Sequence, residues 1–187
     1  MTQSKTLSNF SQTIDMYLDE ADWCANHTYK SDTDAVLGLA AMTLSLACVV
    51  SVGEALFREI KGPNDISIKS SIAAFCNEMN NNDWFLSPEG KPSKQKLAET
   101  LTNIRNALIH GLSLPNGVCL VPKAEDYYDH HSINYEIGIE PRRFVAEVKK
   151  TINELIRRRP SLPFDDLLKA KSRAPVKIDM TASVSSR

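Results

Sequence analysis

The segment from Val36 to Phe57 constrains the fold of this chain more than any other part of the sequence. It is almost continuously apolar, yet it contains Thr43, Ser51 and Glu54. A membrane-spanning helix instead needs about 20 nearly uniform apolar residues. A helix that is apolar on all sides is typically covered by other elements. The sequence therefore predicts that this segment is the most buried helix of a bundle, with no membrane contact.

Other segments repeat apolar residues at the three- and four-residue spacing of an amphipathic helix. A first helix is expected over about residues 6–27. The apolar helix is expected to start after the capping side chains of residues 31–34 and to stop at Lys61-Gly62-Pro63. Ser93 can cap a fourth helix, which Gly111 is placed to end. The stripes of the third and fourth helices are Ile68, Ile72, Phe75, Cys76 and Met79, and Leu97, Leu101, Ile104 and Leu108. These four helices predict an antiparallel bundle.

Two stretches are predicted to be non-helical. Residues 80–92 are rich in Asn, Pro and Gly and are expected to form a loop. Further on, Leu112-Ser113-Leu114 and Val118-Cys119-Leu120-Val121 flank Pro115-Asn116-Gly117, a favourable hairpin turn. Apolar residues then alternate with polar or small ones over 133–139. A β-hairpin or small β element of two or three strands is expected there.

The expected fold of the 187-residue chain is thus mainly all-α, in a single domain over residues 1–160. Its parts are a bundle core over 6–111, a β element over 112–140 and a C-terminal helix over 141–159, for which Pro141 suits the first turn. Residues 161–187 become polar and aperiodic, which predicts an extended, partly flexible tail.

Charge is distributed unevenly along the chain, although the formal total is only −1. Residues 1–140 hold 10 Lys/Arg against 18 Asp/Glu, whereas residues 141–187 hold 12 against 5. The whole chain lacks the basic surplus of a protein that coats nucleic acid. The C-terminal surplus suits either RNA binding or a solvated helix face. Its candidate RNA-binding residues are Arg142, Arg143, Lys149 and Lys150, with Arg157 to Arg159 further along.

The cysteines Cys24, Cys48, Cys76 and Cys119 are widely separated and include no Cys-x-x-Cys pair, which predicts buried thiols in a reducing cytosol. The polar N-terminus has no export pattern, so a cytoplasmic location is expected. The sequence also has no P-loop, dinucleotide fingerprint or zinc-ligand spacing. We therefore expect neither a metal nor a cofactor.

The second half of the fourth helix carries the strongest indication of function. Arg105, Asn106 and His110 lie off its apolar stripe, as does the apolar Ile109. At 100° per residue, Arg105 lies about 140° from His110, whereas Asn106 and His110 share a face. A solvated face would carry mainly Lys and Glu. This mixture of side chains indicates a contact surface or a site.

The spacing Arg105-Asn106-x-x-x-His110 at the end of a late bundle helix resembles the motif of the HEPN ribonucleases. Glu54 and Arg58 on the apolar helix resemble the acidic and basic pair that HEPN proteins carry on an earlier core helix. The resemblance covers residues 6–111. It implies a HEPN-type four-helix bundle, an RNA substrate, a homodimer with a composite active site, and a possible antitoxin or regulatory partner.

One position departs from part of this family. HEPN toxins silenced by nucleotide transfer often carry a Tyr two positions after the motif His, where this chain has Leu112. The chain is therefore more similar to stand-alone or abortive-infection-type HEPN proteins, which act as toxins or in phage defence.

The side chains of the motif suit RNA cleavage without a metal. Arg105 can stabilise the charge of the phosphate, because its guanidinium is always protonated. His110 is suited to act as a general acid or base, and Asn106 can orient either group. One His cannot serve both sides of one phosphate, which again favours a dimer. The expected products carry a 2′,3′-cyclic phosphate.

Other interpretations of these residues remain open. His110 suits a helix C-terminus electrostatically, and Glu54 could pair with Arg58 or orient Arg105. Asp129-His130-His131 resembles part of a metal phosphoesterase site, although a polar loop is the simpler expectation. The alternatives for the whole chain are a non-catalytic HEPN module that binds nucleotide, RNA or protein, and a helical adaptor with a basic C-terminal helix.

Overall fold

The computed structural model describes residues 3–27, 34–62, 64 and 66–159. Helix α1 (Gln3–His27) confirms the first predicted helix. Helix α2 (Asp34–Lys61) is the apolar one, and it ends where Gly62 adopts a φ of 83°. The expected capping residues before α2 and the expected tail over 161–187 lie outside the described residues.

Serine caps begin the next two helices, α3 (Ile68–Glu78) and α4 (Lys94–Gly111). The Ser67 hydroxyl accepts a first-turn backbone N–H at 3.0 Å, and Ser93 does the same at 3.2 Å. Each bond satisfies one of the amide groups that a helix leaves free at its N-terminus. The predicted role of Ser93 is confirmed.

The C-terminus of α4 differs from the prediction by one residue. Gly111 is still helical, and Leu112 takes the left-handed cap position with a φ of 48°. Its backbone N–H donates to the Leu108 carbonyl oxygen at 3.1 Å. Because a side chain disfavours this conformation, glycine is the usual residue there, and the sequence pattern pointed to Gly111.

A small three-stranded sheet lies beside the helices. Its strands are β1 (Phe85–Leu86), β2 (Val118–Leu120) and β3 (Ile137–Ile139), in the order β1-β3-β2. The pairing of β1 with β3 is antiparallel, and that of β2 with β3 is parallel. The chain is thus mostly helical with a small β element, as expected, but one strand precedes α4.

The predicted hairpin around Pro115-Asn116-Gly117 is wrong. The turn itself forms, since the Val118 N–H donates to the Pro115 carbonyl at 3.2 Å. Residues 112–114 form no strand, however, and Leu114 instead packs against the core. The strand β2 pairs with the distant β3, whose Ile139 is fully buried. Burial in the core therefore selects a long-range partner over the local one.

The loop predicted over residues 80–92 is wrong at β1. Trp84 is almost fully buried and its ring centroid lies 4.6 Å from that of Phe144. Its carbonyl oxygen accepts the Glu140 N–H at 3.0 Å. These contacts hold the backbone of β1 in an extended conformation. The Asn- and Pro-rich local pattern does not predict them, because they involve residues that are distant in the sequence.

A helical turn replaces the polar loop expected around Asp129-His130-His131. The short helix α5 (Ala124–Asp126) continues into a π-helical turn over Tyr127–His131. Tyr127 is buried there and donates its hydroxyl to the Tyr135 carbonyl at 3.0 Å. Burial of this aromatic side chain holds the turn in place.

Helix α6 (Pro141–Arg158) is the predicted last helix, with Pro141 at its first turn. It joins α1, α3 and α4 in packing against α2. Its contribution to the same hydrophobic core is Phe144, Val148, Ile152 and Leu155. The centre of the fold is therefore α2, and α6 is part of the packing around it.

Helix α2 is nevertheless not fully enclosed. From Leu37 to Lys61 it is long and apolar enough to cross a membrane, by length and composition alone, and 56% of its most apolar window is buried inside the fold. Residues such as Leu46 and Val49 are buried, whereas Ala47 is exposed. A strip of this apolar helix is left uncovered.

The four cysteines are buried, as predicted. Burial raises the pKa of the Cys48 and Cys76 thiols to about 12. Both thiols therefore stay protonated at neutral pH and act as apolar core side chains, because the thiolate is the reactive form.

We expect Gly53→Ala to destabilise the fold by about 2 kcal/mol or more, although Gly→Ala within a helix normally stabilises by about 0.5–1 kcal/mol. A Cβ at Gly53 would lie 2.0 Å from the backbone oxygen of Ser71. Helices α2 and α3 would have to separate. Urea unfolding measures the effect, with Gly111→Ala as the control, since a Cβ there meets a movable Ser113 hydroxyl at 3.2 Å. Equal stability of the two variants would contradict the prediction.

Candidate functional site

The core face of α4 fixes the orientation of the motif. Leu101, Ile104 and Leu108 are buried, as are Leu97, Ala98 and Thr100 nearer the N-terminus. Asn106 and His110 are consequently exposed, and Arg105 is half-buried on the flank of the helix. The motif occupies the last two turns of α4, where its outward side is open to a ligand.

Arg105 and Ile109 line a notch of about 220 Å³ between α2 and α4, here called the α2–α4 notch. The remaining walls are Thr43, Leu46, Ala47, Val50, Ser51 and Leu108. Ile109 stays 53% exposed although it is apolar. The guanidinium of Arg105 is thus set at the edge of a mostly apolar concave surface.

The contacts within the motif are few. Nη1 of Arg105 donates to Oδ1 of Asn106 at 3.2 Å. Within the described ranges, no hydrogen bond or ion pair involves the ring of His110. Arg105 is therefore oriented by its neighbour, while the imidazole is free to contact a ligand or a second chain.

Glu54 and Arg58 form an ion pair on α2, with Nη2 and Oε1 2.8 Å apart. Their side chains are 18% and 21% exposed. Of the two arginines considered as partners of Glu54, the structure shows Arg58 and, within the described residues, no bond to Arg105. Neither Glu54 nor Arg58 lines the notch. Glu54 follows Ala47 and Val50 at helical spacing, so the pair extends the same face of α2 by one to two turns.

The candidate RNA-binding residues of α6 differ in whether they form ion pairs. Arg143 pairs with Glu140 at 3.3 Å, and Lys149 pairs with Asp19 at 2.7 Å. In the described part of the chain Arg142 and Lys150 have no ionic partner, and both are exposed. None of the four lines the α2–α4 notch. The structure therefore does not bring them together with the motif.

A larger cavity of about 650 Å³ lies at the other end of α4, between residues 87–93 and 132–137. Its wall includes Ser93 and Lys96 of the first turn of α4. At 1.5 Å per residue, this end is about 24 Å along the helix from His110. Over the residues that the structure describes, no group of three or more His, Cys, Asp or Glu side chains could hold a metal ion.

The α2 wall of the notch is the part of the site that sequence reasoning missed. Ala47, Val50 and Ser51 follow Thr43 at offsets of four, seven and eight residues. Small and hydroxyl side chains at that spacing leave one shallow face on an otherwise apolar helix. That pattern could have predicted the surface on α2, but it could not have predicted which helix packs beside that surface.

No protein-family model matches the chain, and no curated protein or solved structure matches it either. The resemblance to HEPN proteins therefore depends on Arg105, Asn106 and His110 on α4 and on Glu54 and Arg58 on α2, and membership of that family stays a prediction.

Proposed function

We propose that the protein is a metal-independent endoribonuclease of the HEPN type, with α1 to α4 as its antiparallel four-helix core, and that it acts as a dimeric toxin or phage-defence effector. The observation that carries this proposal is the half-buried Arg105 at the α2–α4 notch, about 7.5 Å along the helix axis from the exposed His110. A guanidinium binds phosphate in a fork, and an imidazole transfers protons near neutral pH.

The proposed reaction needs no metal. One His110 removes the proton of the RNA 2′-hydroxyl, and the 2′-oxygen attacks the adjacent phosphorus. The bond from phosphorus to the 5′-oxygen then breaks, and the protonated His110 of the second protomer donates a proton to that oxygen. Arg105 stabilises the negative charge that builds on the phosphate oxygens, and Asn106 holds the guanidinium in place.

Two features support a homodimer with a composite site. The mechanism uses an acid and a base on opposite sides of one phosphate, and each chain supplies one motif His. The apolar residues Ala47 and Ile109 are also exposed, and they line the notch from α2 and from α4. A two-fold axis would bring identical surfaces together, so that each protomer buries the other's Ile109.

The test is incubation of the purified protein with total RNA in the presence of EDTA. The expected result is RNA fragments with 2′,3′-cyclic phosphate and 5′-hydroxyl ends. Cleavage that requires added Mg²⁺ or Mn²⁺, or fragments with 3′-hydroxyl ends, would contradict the mechanism.

A non-catalytic module that binds nucleotide, RNA or a protein partner is the second candidate. It is favoured by the imidazole of His110, for which the described residues supply no orienting hydrogen bond. Such a module would bind RNA that is protected from cleavage by 2′-O-methyl groups, would leave unmodified RNA intact, and would confer no growth toxicity.

A further inference from the structure

The seven cations from Arg142 to Arg159 divide into two groups. Four of them form ion pairs: Arg143 with Glu140, Lys149 with Asp19, Arg158 with Glu78, and Arg159 with both Glu59 and Glu78. Arg142, Lys150 and Arg157 are exposed and have no ionic partner across the described ranges. These three are called the α6 stripe.

The stripe follows one face of α6. Its members are separated by eight and seven residues, so they share a face and extend over about 22 Å of helix. The other exposed residues between them are Ala146 and Asn153, which are uncharged, and Arg143, which pairs with Glu140. A ligand on this face therefore meets three cations that no acid pairs, with the half-buried Glu154 one turn from both Lys150 and Arg157.

The acidic side chains of α6 are occupied elsewhere. Oε1 of Glu147 accepts the backbone N–H of Asn80 at 3.2 Å and that of Asn81 at 2.9 Å. Oε2 of Glu154 accepts the Asn80 side-chain amide at 3.2 Å. Both carboxylates thus anchor the segment after α3, and neither forms an ion pair with the stripe within the described residues.

Three further acidic residues lie around the N-terminal end of the stripe. Arg142 lies near Glu140, whose pKa is raised by burial and also, by repulsion, by Glu125 and Asp126. These carboxylates reduce the positive potential around Arg142. Lys150 and Arg157 are further along the helix and are expected to contribute more to anion binding.

We propose that the α6 stripe binds the phosphate backbone of RNA, without regard to base sequence. Protein interfaces and membrane anchors both need exposed apolar side chains at their centre. None of the large exposed apolar residues of the described chain lies on α6. Cations interspersed with small polar residues instead suit phosphate contacts, in which charge supplies most of the affinity.

The proposal does not depend on cleavage, because the stripe lies apart from the α2–α4 notch. The probe is therefore a fluorescent single-stranded RNA with 2′-O-methyl groups, which lacks the attacking hydroxyl. Binding is measured by anisotropy between about 50 and 200 mM salt, where phosphate contacts lose affinity steeply.

Two triple variants of equal charge change are compared. Arg142→Gln/Lys150→Gln/Arg157→Gln removes the stripe, and Arg143→Gln/Lys149→Gln/Arg158→Gln removes cations that acids already neutralise. The stripe variant should bind at least about tenfold more weakly at low salt, and the slope of log K against log salt should fall by about 2, since each phosphate contact contributes about 0.7. The control should change that slope by less than about half as much.

Three outcomes would overturn the proposal. The stripe variant could bind the RNA as tightly as the parent. Both variants could instead lose affinity equally, which would show that net charge alone, and not the position of the cations, determines RNA affinity. Alternatively, the stripe variant could lose affinity for poly-glutamate while RNA binding is unchanged, which would indicate an acidic protein partner. Circular dichroism on both variants ensures that the comparison is made between folded proteins.

Discussion

Arg105→Ala and His110→Ala are each expected to lower RNA cleavage by a factor of about 10² to 10⁴ while the helical fold is retained. The loss follows from the removal of the phosphate-binding fork in one variant and of the proton-transferring group in the other. The fold is retained because His110 is exposed, and because Arg105 bonds to the exposed Asn106 and makes no contribution to the hydrophobic core.

Initial rates on a defined RNA in EDTA measure the effect, and circular dichroism monitors the helices. Asn103→Ala is the matched control, because Asn103 is an exposed residue of the same helix outside the motif. Arg105→Lys should recover only part of the activity, since an ammonium keeps the charge but not the planar fork. If Arg105→Ala and His110→Ala both cut RNA as fast as the parent, the catalytic proposal fails.

Ile109→Asp is expected to convert the dimer to a monomer and to abolish cleavage. In the proposed dimer, Ile109 is buried against the partner's α2–α4 notch, and an unpaired carboxylate in an apolar interface carries a desolvation penalty. Sedimentation equilibrium measures the association, and the cleavage assay is performed at the same protein concentration.

The control for this variant is Ile133→Asp. Ile133 is 88% exposed and lines the other cavity, at the far end of α4. Its replacement by Asp adds the same charge as Ile109→Asp. It should leave both association and cleavage unchanged. A parent protein that cuts RNA as a monomer would contradict the composite site, and an Ile109→Asp variant that stays dimeric would contradict the location of the interface.

A helical adaptor that acts through its basic C-terminal helix makes the opposite prediction for the motif variants. Deletion of residues 141–187 does not test it, because the deletion would remove Phe144 and Val148 from the hydrophobic core and unfold the protein. His110→Ala is the better test, because loss of the α6 stripe is also expected to weaken RNA binding by a nuclease. An adaptor would lose its biological effect with Arg142→Gln/Lys150→Gln/Arg157→Gln and would keep it with His110→Ala.

The long helices, and the starts of α4 and α6, were predictable from the sequence because they depend on local physics. An apolar stripe at helical spacing determines which face of a helix is buried, and the side chain of Ser93 reaches only its own first turn. Pro141 acts in the same local way at α6. For this reason the helical spacing alone was enough to assign the motif residues of α4 to an outward face.

The sheet could not be predicted in the same way. Its central strand β3 joins Phe85 and Val118 to Ile139 and Ile137, which are distant in the chain. Local patterns instead favoured a hairpin at Gly117. Strand pairing depends on which apolar segments reach the core together, and local alternation does not contain that information.

By itself, the sequence determined the helical character of the chain and the grouping of Arg105, Asn106 and His110 at one helix end. Only the tertiary structure decided that Arg105 faces a shallow surface of α2. It also decided that Arg143 and Lys149 are paired, while Arg142 and Lys150 have no ionic partner among the described residues. The physical reason is that notches and ion pairs form between elements, so they depend on the packing of distant segments.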